Sequence, residues 1–198
     1  MPDLVENRPS KVILIGNSSV GKTSLVLQLY KHEFDPSSEP TIGAAYVTKL
    51  IPTRNNEIPL HIWDTAGQER FKSVIPMYMR GSAAIILVCA KDSDDSVTSL
   101  DKWYSMISDK INVSVVSIYV VLNKIDIDSN EFDEEVPRKW AASHGCKFFR
   151  TTAKDYDCVE RLFIEIANDV SSLQNSAVYE NSRETLRPNS VKKEKCCK

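Results

Sequence analysis

The segment that decides the fold is Lys11-Val12-Ile13-Leu14-Ile15-Gly16-Asn17-Ser18-Ser19-Val20-Gly21-Lys22-Thr23. Its first five residues predict a buried β-strand, and the apolar spacing after them predicts a helix over 22–31. Between the two lies G-x-x-x-x-G-K-[ST], the pattern of a P-loop, whose backbone N–H groups converge on a phosphate at a helix N-terminus. The pattern predicts that Lys22 reaches the phosphates and that the Thr23 hydroxyl ligates Mg²⁺.

Outward from this segment, short β-rich runs alternate with helical patterns up to about residue 173. They predict an α/β fold, with about six strands in a mostly parallel sheet, one antiparallel strand and helices on both faces. The antiparallel strand follows from Arg54-Asn55-Asn56-Glu57, a turn too short for a parallel crossover. The predicted strands cover 11–15, 45–51, 59–63, 83–89, 116–122 and 147–150, and the further helices cover 96–109, 134–143 and 159–173.

The composition fits one globular domain. Of 198 residues, 42% are hydrophobic and 26% are charged, which disfavours a disordered, collagen-like or coiled-coil chain. The net charge of -2 argues against nucleic-acid binding, and no apolar run approaches the ~20 residues of a membrane span. We expect an N-terminal extension over 1–10, a domain over 11–173 and a basic tail over 174–198, whose low apolar content predicts disorder. The N-terminus has neither a signal-peptide nor a myristoylation pattern, which favours the cytosol.

A second motif follows the strand predicted over 59–63. Asp64 stands at the end of this apolar strand, where P-loop proteins hold Mg²⁺. Gly67 would let the backbone approach a γ-phosphate, and Gln68 would orient the attacking water. For a lone aspartate, a cap at the end of the strand is the alternative role.

A third motif, Asn123-Lys124-Ile125-Asp126, ends the strand predicted over 116–122. Ligands of open α/β sheets bind beyond the carboxyl ends of the strands, so we expect this motif in the same site as the P-loop. Asp126 can accept hydrogen bonds from N1–H and the 2-amino group of guanine, and adenine offers neither donor. The motif therefore predicts a guanine nucleotide. Backbone N–H groups of Thr151-Thr152-Ala153-Lys154 would meet the guanine carbonyl.

In this order and spacing, the motifs resemble those of the Ras superfamily of small GTPases, and most closely the Rab family. The likeness to Rabs rests on Ile42-Gly43-Ala44-Ala45-Tyr46, on the run from Trp63 to Phe71, and on Pro76-Met77-Tyr78-Met79-Arg80-Gly81. The first and last of these resemble early-endosomal Rabs in particular. The resemblance implies a P-loop small-GTPase fold, slow hydrolysis of GTP to GDP and phosphate, and a switch in vesicular, and specifically endocytic, membrane traffic.

The resemblance also implies the roles of individual residues. It makes Thr41 the threonine that joins Mg²⁺ and the γ-phosphate, and Phe34 the aromatic residue that packs against guanine. The implied catalytic residues are Gln68, Lys22 and Thr41, and the implied metal ligands are Thr23, Thr41 and Asp64. The implied nucleotide-binding residues are Ser18, Ser19, Val20, Gly21, Lys22, Thr23, Ser24, Phe34, Thr41, Gly67, Asn123, Lys124, Asp126, Thr152, Ala153 and Lys154.

Partners and location follow from the same likeness. Tyr46, Trp63 and Tyr78 match the aromatic triad that Rabs present to effectors, although core aromatic residues are an alternative. Cys196 and Cys197 resemble the doubly geranylgeranylated ends of Rabs rather than a C-a-a-X box, which implies a membrane anchor; two unmodified thiols are the alternative. We expect a monomer on the cytosolic face of endomembranes, endosomal ones first, that cycles with the cytosol. Its implied partners are an exchange factor, a GTPase-activating protein, effectors, a GDP-dissociation inhibitor and the prenylation machinery.

Two other functions stay open at this point. One is a guanine-nucleotide-binding scaffold that does not hydrolyse GTP and acts only through its partners. Intact Gln68 and Thr41 weigh against it. The other is an ATP-dependent P-loop enzyme, which Asp126 opposes because its carboxylate would face adenine without a donor. The chain also leaves no room for a lid or acceptor domain.

Overall fold

A six-stranded sheet forms the centre of the molecule. This computed structural model describes residues 10–68, 71–128 and 131–185, with residues 174–185 described by their backbone alone. The strands are β1 (Ser10–Ile15), β2 (Ala44–Pro52), β3 (Glu57–Thr65), β4 (Ala84–Ala90), β5 (Ser117–Asn123) and β6 (Lys147–Arg150). They lie in the order β2-β3-β1-β4-β5-β6, and all pairs are parallel except β2 and β3. The predicted fold class is confirmed.

Six α-helices surround the sheet within the described residues. They are α1 (Lys22–Lys31), α2 (Ile75–Met79), α3 (Asp94–Thr98), α4 (Leu100–Ser108), α5 (Glu135–Ser143) and α6 (Tyr156–Thr185). The helix predicted over 96–109 is in fact two helices that meet at Ser99. The short α2 was not predicted, because five residues are too few for a helical periodicity to be visible.

The last helix is longer than predicted. The sequence pattern predicts its end near Leu173 and a disordered tail beyond, whereas α6 continues to Thr185. Residues 174–185 contain neither glycine nor proline, and Pro188 is the first helix breaker after them. The low apolar content of residues 174–185 therefore does not end α6. Residues 1–9 and 186–198 lie outside the described residues, so the rest of both predicted terminal segments stays a prediction. No described helix has the length and apolar character needed to cross a membrane.

The core has two layers, one on each face of the sheet. Alternate residues of β1 point to opposite sides: Val12 and Leu14 pack in the layer under α1 and α6, and Ile13 and Ile15 pack in the layer under α4 and α5. Every residue of β4 is buried, as expected of a strand that is covered on both faces. This packing fixes the carboxyl ends of β1, β3, β4 and β5 side by side, and the loops that follow them form the candidate site.

Candidate functional site

The loop between β1 and α1 wraps around the side chain of Lys22. Lys22 Nζ donates hydrogen bonds to the carbonyl oxygens of Gly16 at 3.0 Å and Asn17 at 2.7 Å. Lys22 is buried, and burial lowers its pKa to about 8 although the charge of Asp64 opposes the shift. Gly16 has a φ of +151°, and a Cβ atom on it would lie 2.3 Å from the carbonyl oxygen of Val88 in β4. The loop therefore lies too close to β4 for a side chain at this position.

The end of β5 supports the same loop from the other side. Asn123 Nδ2 donates a 2.8 Å hydrogen bond to the carbonyl oxygen of Val20. A Cβ atom on Gly21, which has a φ of +91°, would lie 2.3 Å from that Nδ2 atom. Val20 itself is fully buried in the core and does not line the cleft described below. Its side chain therefore packs in the core, although the motif groups it with the nucleotide-binding residues.

Three side-chain oxygens meet at the N-terminus of α1. Thr23 Oγ1 donates to Asp64 Oδ2 at 2.6 Å, Thr41 Oγ1 donates to the same oxygen at 3.1 Å, and the two hydroxyl oxygens are 2.7 Å apart. Asp64 Oδ1 is buried and has no hydrogen-bond partner within the described residues. Burial raises the pKa of Asp64, while the hydrogen bond from Thr23 and the charge of Lys22 oppose the shift.

This oxygen cluster fits a magnesium ion. Mg²⁺ prefers hydroxyl, carboxylate and phosphate oxygens, and a bound cation would compensate the unpartnered Asp64 Oδ1. The described part of the chain has no group of three or more His, Cys, Asp or Glu side chains that could hold a metal, and Asp64 is the only such side chain in this cluster. The three residues that were predicted as metal ligands are thus together in the structure.

The other end of the site is built around Asp126. Its Oδ1 accepts a 2.5 Å hydrogen bond from Thr152 Oγ1, and its Oδ2 lies 2.7 Å from Lys154 Nζ. Partial burial alone would raise the pKa of Asp126, but the hydrogen bonds from Lys154 and Thr152 outweigh it and hold the pKa below its usual value. Lys154 Nζ also lies 5.7 Å from the ring centroid of Phe34. Side chains from three separate loops therefore converge at this end.

Lys124, within the same motif, adopts a left-handed backbone with a φ of +62°. Its Nζ atom pairs with Asp92 at 2.8 Å. The sequence motifs did not mark Asp92, which looks like an ordinary acidic turn residue. Its place in the site depends on the adjacency of β4 and β5, which no local pattern reveals.

One cleft of about 570 Å³ joins the two ends, a size typical of small-molecule sites. Gly67 and Gln68 line it, and of the predicted nucleotide, catalytic and metal residues only Val20 and Asp64 do not. The lining residues that sequence reasoning missed are Asp35, Pro36, Ser38, Glu39, Pro40, Thr65, Asp92 and Ile127. Most of them belong to the loop between α1 and β2, which has no periodic pattern to interpret.

The predicted aromatic triad lies outside the cleft. Tyr46 is 61% exposed, and its ring stacks on Trp63 with centroids 5.4 Å apart. Trp63 and Tyr78 are half-buried, with ring centroids 5.8 Å apart. The three rings thus form a continuous row across β2, β3 and α2, which excludes a purely internal role for Tyr46.

Comparison with known proteins identifies the family. The family model described as Ras family matches residues 11–172. The chain belongs to the Ras family. It is 36% identical over 192 residues to the Ras-related protein Rab-22A of Mus musculus, covering 96% of this chain and 98% of that protein. It is 36% identical over 185 residues to Rab-18-B of Danio rerio, with 89% and 90% covered, and 38% identical over 167 residues to Rab-31 of Rattus norvegicus, with 84% and 85% covered.

Membership of this family settles the general activity. The Ras-family chain is a GTPase that binds GTP and GDP together with Mg²⁺, and with its Rab relatives it is a switch in membrane traffic. The predicted likeness to Rabs is confirmed. Exchange factors, GTPase-activating proteins, effectors and GDP-dissociation inhibitors are the general partner classes of such proteins, and endomembranes are their general location.

Proposed function

We propose that this GTPase is an endosomal switch whose loop between α1 and β2 responds to the γ-phosphate through Thr41. The observation that carries the proposal is the convergence of Thr41 with Thr23 and Asp64. Thr41 lies in a segment without helix or strand, yet its hydroxyl shares an Asp64 oxygen with the P-loop threonine. A ligand at this point can therefore order or release the whole loop.

At the phosphate end, Lys22 would neutralise charge on the β- and γ-phosphates. Its Nζ already faces the loop carbonyls of Gly16 and Asn17, so the ammonium group is pre-positioned. Mg²⁺ held by Thr23, Thr41 and Asp64 would supply further positive charge. Gln68 would orient the attacking water, and Gly67 would allow its segment to approach the phosphate.

The described residues of the site do not include one element of fast phosphoryl transfer. No arginine lines the cleft among the described residues, and such an arginine accounts for ~10³–10⁵ in rate in related enzymes. We therefore expect slow intrinsic hydrolysis and strong acceleration by a GTPase-activating protein that supplies the missing charge.

At the base end, Asp126 would accept hydrogen bonds from N1–H and the 2-amino group of guanine. The hydrogen bonds from Thr152 and Lys154 favour the ionised carboxylate, which is the form that accepts both. Phe34 would cover one face of the base, and the backbone of Ala153 would meet the guanine carbonyl. Ser18, Ser19, Gly21, Ser24, Asn123 and Lys124 would complete the nucleotide contacts.

The hydrolysis experiment tests these roles. Purified protein is loaded with GTP and Mg²⁺, and conversion to GDP is followed over a single turnover for wild type and Gln68→Leu. We expect slow conversion that the substitution nearly abolishes while GTP stays bound. Gln174→Leu is the matched control, because Gln174 belongs to α6, a helix that contains none of the predicted site residues. Equal rates for wild type and Gln68→Leu would contradict the role of Gln68, and tightly held but uncleaved GTP would favour the scaffold function.

The row of Tyr46, Trp63 and Tyr78 would bind effectors, and lipids on Cys196 and Cys197 would anchor the protein to endosomes. A row of one exposed and two half-buried aromatic rings at the surface supports the first role. Both cysteines lie outside the described residues, so the anchor rests on the sequence alone. Imaging of the tagged protein against endosomal markers tests the location, and the double variant Cys196→Ser/Cys197→Ser should become cytosolic. Wild-type protein on another membrane would contradict the endosomal assignment.

A further inference from the structure

Glu134 joins two of the loops that build the base end of the site. Its Oε2 lies 2.6 Å from Arg150 Nε, and its Oε1 accepts from Arg150 Nη2 at 3.2 Å and lies 3.5 Å from Lys91 Nζ. Arg150 is the last residue of β6, Lys91 directly follows β4, and Glu134 directly precedes α5. The Glu134 and Lys91 side chains are only 22% and 14% exposed, so water screens this contact less than it screens an ordinary surface pair.

The same strand ends are also tied through the backbone. The Lys91 N–H donates to the Asn123 carbonyl oxygen at 3.0 Å, and the Ile125 N–H donates to the Thr151 carbonyl oxygen at 3.3 Å. Lys91 and Arg150, the two cations that Glu134 holds, therefore flank the segment 123–126 on both sides. Asp126 lies at the end of that segment, and its partner Thr152 lies two residues after Arg150.

We propose that Glu134 is a positioning residue for guanine recognition, which holds the loops of Asp126 and Thr152 at a fixed spacing through Lys91 and Arg150. The inference rests on the proposed function, in which Asp126 binds the base. Glu134 does not line the cleft, so it acts only through its two partners.

The charges around Glu134 support this role. Partial burial alone would raise the pKa of Glu134, but the hydrogen bond and charge of Arg150, followed by those of Lys91, outweigh it and keep the pKa below its usual value. Glu134 is therefore ionised at neutral pH. In the described part of the chain, neither Arg150 nor Lys91 forms an ion pair with any other carboxylate. Removal of the Glu134 charge leaves two neighbouring cations that repel each other and no longer share a counterion.

The test compares release of GDP and IDP from Glu134→Gln and wild type. Inosine lacks the 2-amino group of guanine, so IDP can donate only one of the two hydrogen bonds to Asp126, and the ratio of the two release rates reports on the Asp126 contact. We expect GDP release to accelerate about three- to tenfold and IDP release to change less. The preference for GDP then falls. Glu135→Gln is the matched control, because within the described ranges the neighbouring Glu135 pairs only with Arg138 on the same helix, at 3.0 Å.

A double-mutant cycle separates this role from general loosening. If Glu134 acts through Arg150, Arg150→Gln weakens the preference for GDP over IDP in the same way. The double variant then loses less of this preference than the two single variants lose together. Equal acceleration of GDP and IDP release in Glu134→Gln, or additive effects in the double variant, would overturn the proposal.

Failure of the proposed base site has a different signature. In that case wild type itself binds GDP and IDP equally, and Asp126→Ala leaves their release rates unchanged. A third outcome is that wild type prefers GDP, that Asp126→Ala removes this preference and that Glu134→Gln keeps it. In that case the proposed base site is supported and the positioning role of Glu134 is wrong.

Discussion

Gly67 lies directly against the backbone of Asn17. A Cβ atom on Gly67 would be 2.4 Å from both the carbonyl carbon and the carbonyl oxygen of Asn17, and 2.5 Å from the amide nitrogen of Ser18. The same Asn17 oxygen accepts a hydrogen bond from Lys22 Nζ, and Gly67 immediately precedes Gln68. This contact therefore sets how closely the segment of Gln68 lies to the phosphate-binding loop.

Replacement of Gly67 by alanine should push these two loops apart. We expect Gly67→Ala to slow single-turnover GTP hydrolysis by at least about tenfold, because small displacements of a catalytic group have large effects on rate. Gly81→Ala is the control: Gly81 has a φ of +71°, but a Cβ atom there meets nothing within 4 Å. It carries backbone strain without a clash. If Gly67→Ala hydrolyses GTP at the wild-type rate, the two loops accommodate the added methyl group without an effect on catalysis.

The side chain of Asn17 depends on a tryptophan of α4. Trp103 Nε1 donates a 2.8 Å hydrogen bond to Asn17 Oδ1, and Trp103 is almost fully buried. Trp103→Phe keeps an aromatic ring but leaves Asn17 Oδ1 without this donor, so we expect a loss of about 1–3 kcal/mol in the free energy of unfolding. Chemical denaturation of the GDP-bound protein measures it.

Trp140 offers a matched comparison. Its Nε1 donates a 2.7 Å hydrogen bond to Asp101 Oδ1 at the surface, where water can replace the lost partner. Trp140→Phe should therefore cost less than about 1 kcal/mol. A loss for Trp140→Phe as large as that for Trp103→Phe would contradict the structural role assigned to the bond between Trp103 and Asn17.

Magnesium dependence tests the oxygen cluster. Thr23→Ala removes one of the two hydroxyl oxygens beside Asp64, so the Mg²⁺ concentration needed to slow GDP release should rise at least about tenfold. A chelator should then accelerate GDP release less in Thr23→Ala than in wild type. Thr98→Ala serves as control, because the Thr98 hydroxyl is exposed outside the cleft and donates to the Asp95 carbonyl oxygen in α3. An unchanged Mg²⁺ requirement in Thr23→Ala would exclude Thr23 as a ligand.

The parts of this protein that could be predicted from the sequence are those with a local pattern. The P-loop and its flanking strand and helix are contiguous, and the helix bounds 22–31 agree with α1. All six strands were predicted within a few residues of their observed ends. For β4 and β5 the signal was a continuously apolar run, as expected of strands covered on both faces. Thr41 and Phe34 lie in a segment without periodicity, and only the family resemblance marked them.

Contacts between loops could not be predicted in the same way. Asp92 and Lys124 meet because β4 and β5 are neighbours, and Glu134 and Arg150 meet because α5 begins near the end of β6. Asp92, Glu134 and Arg150 each look locally like an ordinary surface charge, and the motif that marks Lys124 does not indicate its partner. The order of the strands has to be known before such pairs become visible, and the order itself follows from packing across both layers of the core.

The ion pairs of Glu134 predict a specific dependence of stability on pH. Because the pKa of Glu134 is lower in the folded protein than in the unfolded chain, the unfolded state binds its proton first as the pH falls. The stabilisation is therefore complete above the ordinary glutamate pKa of about 4.3 and disappears as the pH falls through the lower, folded value. The thermal unfolding temperatures of wild type and Glu134→Gln should differ most near neutral pH. Plotted against pH, the two sets of temperatures should converge below about pH 4. Glu135→Gln, whose partner Arg138 is exposed, should differ less from wild type at neutral pH. A difference between wild type and Glu134→Gln that stays constant from neutral to acidic pH would mean that the substitution acts through packing and not through the charge.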